Sequence, residues 1–443
     1  MTNDRKSTRR RFLRAAAGMG VGVGCLSRLA AGENPVRLPL MVGAGRADIT
    51  APLEVGILMS SGRELWEPFQ AVRLPLYARA VVIQRGDRKV AIVALDLIGL
   101  AGEAVGGMKR FRERVVAAAD GAVAADDVVL ASSHTHSSPE SIALTDLKES
   151  EPFQRWAGRL AEQIGAAIQT AAGDLRACRL AVSEQTAPGM NVNRRVRTER
   201  GIRSAWGELS TERVIGPEGP NDETIRVAAF LDKSDQPIAI LVNATAHPVL
   251  EMCLPEMSPD YPGEMAIALE KRYPSAMALF LQGACGNINP PKMERCPENA
   301  RAYGQKLAGF VEAAMGGLEP MNDGGLDLAW KWIQLPLRPV KDTPAATPLT
   351  ARVGALRIGG AAFVFLPGEP FLEIAVGIRE KSPLKFTAVV GYSDDYIGYI
   401  PTDRAFDHGG YEVSTGLWSR LDRGSAAIVC NAAVELTRLA LPE

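Results

Sequence analysis

The sequence predicts an α/β fold: mixed β-sheets flanked by helices, in a single large domain. Three observations lead there. Short apolar runs of strand length alternate with longer stretches of helical periodicity. Two of the runs are joined by Arg85-Gly86-Asp87-Arg88, a hairpin turn signal that calls for antiparallel pairing. Several runs stop at polar clusters, as strands do at the ligand-facing edge of an α/β sheet. The chain has 443 residues, 47% hydrophobic and 23% charged, which is globular composition and length enough for one large domain or two ordinary ones. No repeat, low-complexity block or clean linker divides it after residue 40, so residues 40–443 read as the one domain.

The elements follow in order. Residues 1–31 read as a twin-arginine export signal. Thr8-Arg9-Arg10-Arg11-Phe12-Leu13-Arg14 is followed by a Gly/Ala-rich apolar run over 15–24 and then Leu29-Ala30-Ala31, a cleavage region. The apolar run is too short for a transmembrane helix. Gly22-Val23-Gly24 before Cys25 is a poor lipoprotein box, which argues against a lipid anchor. The mature fold starts at Val42-Gly43-Ala44-Gly45-Arg46-Ala47-Asp48-Ile49-Thr50. Strands are expected at 76–84 and 89–97, and helices at 105–119 and 153–172. Further strands are expected at 178–182, 225–231, 238–242 and 276–281. Helices fit 263–272 and 298–314, and the Pro-rich stretch 334–348 reads as a surface connection. Strands return at 353–358, 362–366 and 387–390, and a last helix covers 425–440.

Charge and cysteine content narrow the class. The first 31 residues hold seven of the 50 Lys/Arg and one of the 51 Asp/Glu, leaving 43 against 50 and a net charge of −7 on the mature chain. That balance disfavours nucleic acid or an anionic membrane as partner. Cys178, Cys253, Cys285, Cys296 and Cys430 are odd in number and lack C-x-x-C spacing, so they form neither a disulfide framework nor a zinc ribbon.

The four histidines carry the most information. Two lie in Ser133-His134-Thr135-His136-Ser137, after Asp127-Val128-Val129-Leu130-Ala131. A third lies in Ala246-His247-Pro248, after Ile238-Ala239-Ile240-Leu241-Val242. A lone histidine after a strand is ordinarily a hydrogen-bonded structural residue. The His-x-His pair shifts the balance, because in an extended segment its two imidazoles point the same way. Three histidines at two strand ends have the pattern of a mononuclear metal site.

Other strand ends bring matching chemistry. Phe280-Leu281 leads to Gln282-Gly283-Ala284-Cys285-Gly286-Asn287-Ile288-Asn289-Pro290. Phe365-Leu366 leads to Pro367-Gly368-Glu369, and Val389-Val390 to Asp394, Asp395, Tyr396 and Tyr399. If these strands share a sheet edge, one pocket collects histidines, a glutamate, tyrosines and amides, a mixed nitrogen and oxygen set that suits zinc. Glu369 also fits a plainer role, as an acid at the start of a helix over 370–380. Tyr399 and Tyr411 equally fit as core residues with hydrogen-bonded hydroxyls.

The ordered set of Gly45-Arg46-Ala47-Asp48-Ile49-Thr50, Leu76-Tyr77-Ala78-Arg79-Ala80, His134-Thr135-His136-Ser137, Asn191-x-Asn193-Arg194, His247-Pro248, Gln282-x-x-x-Gly286-x-x-x-Pro290, Pro367-Gly368-Glu369 and Tyr399-Ile400-x-Thr402 resembles the N-terminal catalytic domain of neutral/alkaline ceramidases. The resemblance runs over roughly residues 42 to 430 and does not extend to the C-terminal β-sandwich of larger ceramidases. It implies a zinc ion held by His134, His247, Glu369 and Tyr399, and hydrolysis of an N-acyl amide. It places His136 and Tyr411 against the substrate, Tyr411 at the family's spacing after Tyr399, and Arg194 near the scissile carbonyl. The chain departs from the family at Asn289, which stands where ceramidases carry a serine with an assigned catalytic role. Asn289 cannot be a nucleophile, though its amide can donate a hydrogen bond to an oxyanion.

These readings converge on an exported, zinc-dependent amide hydrolase that works through metal-activated water, with His136, Arg194, Asn289 and Tyr411 acting on the substrate. His136 is the candidate general acid/base. The expected partners are a small-molecule or lipid acyl substrate, the twin-arginine export machinery and a membrane surface at most peripherally, with a periplasmic or secreted location. Two alternatives stay open. One is zinc-assisted ester, lactone or carbohydrate-linked deacylation. The other is a ligand-binding homologue without catalysis.

Overall fold

Three sheets, each built the same way, set out the molecule. The structure is a computed structural model that describes residues 38–56, 68–204, 212–322, 324–339 and 348–439. The export signal and the middle of the connection expected at 334–348 lie outside the described residues.

The first sheet is formed by β1 (Leu40–Asp48), β2 (Tyr77–Arg85), β3 (Arg88–Leu95) and β4 (Val128–Ser132), in the order β4-β3-β2-β1 with Arg176–Ala177 at its edge. β2 and β3 pair antiparallel across the expected hairpin, whereas β3 and β4 run parallel. A parallel neighbour needs a crossover, and helix α1 (Met108–Ala118) supplies it. The second sheet uses β5 (Arg179–Thr186), β6 (Thr224–Leu231), β7 (Pro237–Ala244) and β8 (Met277–Gln282) in sequential order, with β7 and β8 parallel. Between that pair lies a helix over Asp260–Arg272. The third uses β9 (Leu326–Leu335), β10 (Leu349–Ile358), β11 (Ala361–Phe365) and β12 (Phe386–Val390), with β11 and β12 parallel around a helix over Leu372–Lys381.

Alternation along the strands explains the layering. Val81, Ile83, Val90 and Ile92 of the first sheet join Leu180, Phe230 and Leu241 of the second, and Leu356, Phe363 and Phe386 of the third, in one shared core. The opposite faces each carry helices. Val82, Val93 and Leu95 pack on α1 and on α2 (Glu151–Gly173), and the other two sheets are covered by α3 (Asp260–Arg272) with α4 (Pro297–Met315), and by α5 (Leu372–Lys381) with α6 (Ser425–Thr437). From Leu38 onward the chain forms one compact unit.

Helix α2 shows how local sequence fixes these layers. Ser150 caps it by accepting from Phe153 N, and Pro152 sits in the first turn, where its missing N–H costs nothing. A cap of this kind contributes ~1 kcal/mol. Phe153, Trp156, Leu160, Ile164 and Ile168 then recur on one buried face. β1 accepts that face through its glycines. A Cβ on Gly43 would fall 2.0 Å from Ala171 O, and one on Gly45 2.4 Å from Ala167 O.

Two of the twelve numbered strands escape the sequence reading, as does a small antiparallel sheet of Arg195–Thr198, Gly201–Ser204 and Val214–Pro217. β1 is interrupted by glycines and lacks the β-branched signature of a strand. β9 buries Leu326 and Leu328 in the central core but Ile333 and Leu335 on the helix side. Its apolar positions therefore change parity halfway, and no single face shows in the sequence. The segment read as a connection from residue 334 is in part the end of this strand. No described helix is long and apolar enough to cross a membrane.

Candidate metal and active site

The carboxyl ends of the three parallel strand pairs supply the site. β4 leads to His134 and His136, β7 to His247, β8 to residues 285–289, β11 to Glu369, and β12 to Tyr392, Tyr396 and Tyr399.

The loop after β4 is tied at every step. Ser133 N donates to Leu95 O, His134 N to Leu97 O, and His136 N to Pro248 O. Thr135 Oγ1 donates to Ser258 O, and Ser258 N to Ser137 O. The sequence reading brought the two rings together through an extended backbone. The structure corrects this: His134 has φ +68°, in the left-handed region. The chain turns at His134, and the rings meet with Nε2 atoms 3.2 Å apart because the loop folds back.

The tautomers follow from the partners. His134 Nδ1 lies 2.5 Å from Ile98 O, and His247 Nδ1 3.0 Å from Ile288 O. A carbonyl can only accept, so both Nδ1 atoms carry hydrogen and, in the neutral rings, both Nε2 atoms present lone pairs. Those Nε2 atoms each lie 3.3 Å from the same oxygen, Oε2 of Glu369. One ring nitrogen from each of His134, His136 and His247 falls within 4.8 Å of the other two, and all three residues are buried. Burial, with Arg194 adding to it, lowers His247 to about 4. Burial and the neighbouring His134 put His136 well below its ordinary value. Burial works against the Glu369 carboxylate, but His134 and His247 outweigh it and hold it well below the usual range. A carboxylate oxygen facing imidazole lone pairs repels them unless a proton or a metal cation lies between. Among the described residues, the buried Nδ1 of His136 has no hydrogen-bond partner. Imidazole and carboxylate donors in a buried cluster fit a divalent metal ion.

Glu369 reaches this point through a tight turn. Gly368 has φ +63°, and a Cβ there would lie 2.4 Å from Gly398 O. Glu369–Pro370 pairs in parallel with Tyr399–Ile400, residue Glu369 against Tyr399. The plainer reading of Glu369 as a helix-start acid is thereby overturned. The first-turn acid of α5 is Glu373, and the Glu369 side chain turns into the histidine cluster.

Arg194 is fully buried beside the cluster. Its Nε donates to Glu412 Oε1 at 2.8 Å and its Nη2 to Tyr399 Oη at 2.9 Å, while Nη1 lies 3.4 Å from both His247 Nε2 and Asn289 Oδ1. Tyr399, read from the resemblance as a metal ligand, thus accepts from Arg194. Val192–Asn193 pairs antiparallel with Ile288–Asn289, which sets the Asn-x-Asn-Arg motif against the family's serine position. Asn289 turns Nδ2 to Met293 Sδ at 2.9 Å and Oδ1 to Arg194. Its amide oxygen thus accepts from the arginine. Tyr411 stands at the rim, 40% exposed, its ring stacked on Trp418 and edge-on to Tyr399.

Two contributors, Tyr392 and Glu412, were missed by the sequence reading, and a third, Tyr396, was named only as one of the polar residues after Val390. Tyr396 Oη donates to Glu369 Oε1 at 2.6 Å, and Tyr392 Oη to Oε2 at 3.3 Å. Glu412 holds Arg194 and also Arg195, whose Nη1 lies 2.6 Å from its Oε2. Tyr396 stood in the polar cluster after β12, and Glu412 follows Tyr411, but neither position carries a spacing signal. Tyr396 also lines a cavity of about 560 Å³, together with Ile142, Leu144, Ile397 and Leu417.

No family model and no curated protein matches the chain. Solved structures do. The neutral ceramidase from Pseudomonas aeruginosa superposes with a TM-score of 0.72 at 20% identity, over 92% of this chain and 76% of that one. A ceramidase complexed with C2 gives 0.71 at 18% identity, with the same coverage of 92% and 76%. At this identity the likeness is one of fold. The chain therefore has the fold of neutral ceramidase, and it carries a buried three-histidine group able to hold a metal ion at the ends of its parallel strands.

Proposed function

We propose that this protein is a zinc-dependent hydrolase of an N-acyl amide bond, with His134, His247 and Glu369 holding the metal and Tyr399 beside them as the fourth ligand the ceramidase resemblance implies. The observation that carries the reading is the meeting of two Nε2 lone pairs and Glu369 Oε2 within 3.3 Å, in a ceramidase fold. Zinc in such a set makes water nucleophilic at neutral pH and polarises a carbonyl.

The chain's own residues would do the rest. His136, kept neutral by burial, accepts a proton and returns it to the leaving nitrogen. Arg194, fixed by Glu412 and Tyr399, directs Nη1 beside His247. There it stabilises negative charge growing on the carbonyl oxygen. Tyr411 at the rim positions the incoming acyl substrate, a small molecule or lipid.

A second reading, hydrolysis of an acyl ester, is favoured by Asn289 at the family's serine position. The test is a panel of N-acyl amides and matched esters, each assayed with chelator and after zinc is restored. Chelator-sensitive, zinc-restored cleavage of amides supports the proposal. Cleavage of esters alone transfers it to the second reading. Zinc-loaded protein that cleaves neither would leave a ligand-binding homologue.

A further inference from the structure

Glu369 is gripped on both oxygens. Oε2, the oxygen between His134 and His247, also accepts from Tyr392, while Oε1 accepts the 2.6 Å hydrogen bond from Tyr396. The Tyr392 ring stacks on the imidazole of His134, with centroids 4.0 Å apart and planes 27° from parallel. Neither tyrosine has a part in the chemistry proposed above, yet both are buried.

Their segment, residues 391–397, is locked from three sides. Ser132 N donates to Tyr392 O, Tyr392 N to Gly368 O, and Tyr396 N to Leu100 O. Tyr392 and Asp394 both have positive φ, +52° and +67°. Such backbone persists only where its surroundings over-determine it. Here Arg112 and Arg352 both bind the Asp394 carboxylate. Behind Tyr392, Cys285 Sγ lies 3.0 Å from the phenol oxygen. Burial pushes that thiol up, so it stays protonated and donates, leaving the phenol hydrogen for Glu369.

We propose that Tyr396 and Tyr392 are positioning residues for the metal. Tyr396 occupies Oε1 and leaves Glu369 a single oxygen for the ion, and Tyr392 aims that oxygen while holding the plane of His134. The inference rests on the zinc reading and adds a selectivity device to it. A carboxylate offering one oxygen suits a small four-coordinate ion, whereas one offering two favours higher coordination.

The test compares wild type, Tyr396→Phe and Tyr392→Phe. Zn²⁺ affinity is measured by chelator competition, and the visible spectrum is recorded after loading with Co²⁺. Phenylalanine keeps each ring and removes only the hydroxyl. Both variants are expected to bind Zn²⁺ roughly 10–100-fold more weakly, the usual cost of losing a partner behind a ligand. Tyr396→Phe is also expected to weaken the Co²⁺ absorption bands towards those of a higher-coordinate ion, because Oε1 is released. Tyr392→Phe should keep the wild-type band shape. Affinities and spectra equal to wild type in both variants would overturn the proposal. So would a loss of unfolding temperature in the apo forms with the Co²⁺ spectrum of Tyr396→Phe unchanged, since that marks a merely structural role. Wild-type protein that takes up no Zn²⁺ would remove the zinc reading itself, and this proposal with it.

Discussion

Glu412 shares one carboxylate between two arginines, and all three side chains are completely buried. Burial opposes its ionisation, but Arg194 and Arg195 outweigh it and lower its pKa from 4.5. Removing the charge leaves the buried Arg194 without its counter-ion and Arg195 with Glu218 alone, so Glu412→Gln should destabilise the fold by ~3–5 kcal/mol in denaturant titrations near neutral pH. The sign with pH is fixed by the lowered value. The native state binds this proton less readily than the unfolded chain, so the contribution is present above about 4.5 and fades as pH falls through the folded value. The gap between wild type and variant should therefore narrow in acid; a gap that widens would contradict the ion-pair assignment. Arg194→Lys should lower kcat by ~10²–10³-fold, as for a lost oxyanion-type donor, because an ammonium cannot bridge Glu412 and Tyr399 as a fork does. Unchanged kcat would remove Arg194 from the chemistry. His134, His247 and Glu369 were legible in sequence because each sits in a short motif after a strand, and Arg194 only through the family resemblance of its Asn-x-Asn-Arg motif. Glu412 was not, since its partner lies 218 residues away and ion pairs across that distance leave no local pattern. The turn at His134 was hidden too, because its positive φ falls on a residue other than glycine and no local turn signal marks it.

Among the elements, α2 is the best tested by substitution. Trp156 is 1% exposed, and its Nε1 donates to Ile49 O at 3.0 Å. Trp156→Ala should cost ~3–5 kcal/mol through cavity formation and an unpaired carbonyl, read as a fall in the denaturant midpoint with an unchanged slope. A change under ~1 kcal/mol would mean that α2 does not anchor the first sheet. The helices and the hairpin were readable because each has one buried face and a clear period. β1 and β9 were not, and the reasons are physical: glycines that let α2 approach the backbone, and a buried face that changes side along the strand. The three crossovers were only half visible. Strand and helix were each expected, but which strands run parallel is settled by tertiary pairing that hydrophobic pattern does not encode.

Over the whole molecule, three sheets share one core and direct the carboxyl ends of their parallel strands to one place. That design explains why side chains spread from His134 to Glu369 meet within a few ångströms. Export of the folded, metal-loaded chain is proposed from the N-terminal Arg9-Arg10 pair. Replacing both with Lys should retain the precursor in the cytoplasm, and unchanged export on cell fractionation would refute the twin-arginine route. The most direct measurement of the central claim is zinc content per purified chain, for wild type and for His134→Ala, His247→Ala and Glu369→Ala, each checked for a retained cooperative unfolding transition. The expected result is about one zinc per wild-type chain and a near-complete loss in each variant, because all three donors converge on one ion. Full zinc content in any folded variant, or none in the wild type, would contradict the assignment of this cluster as the metal site.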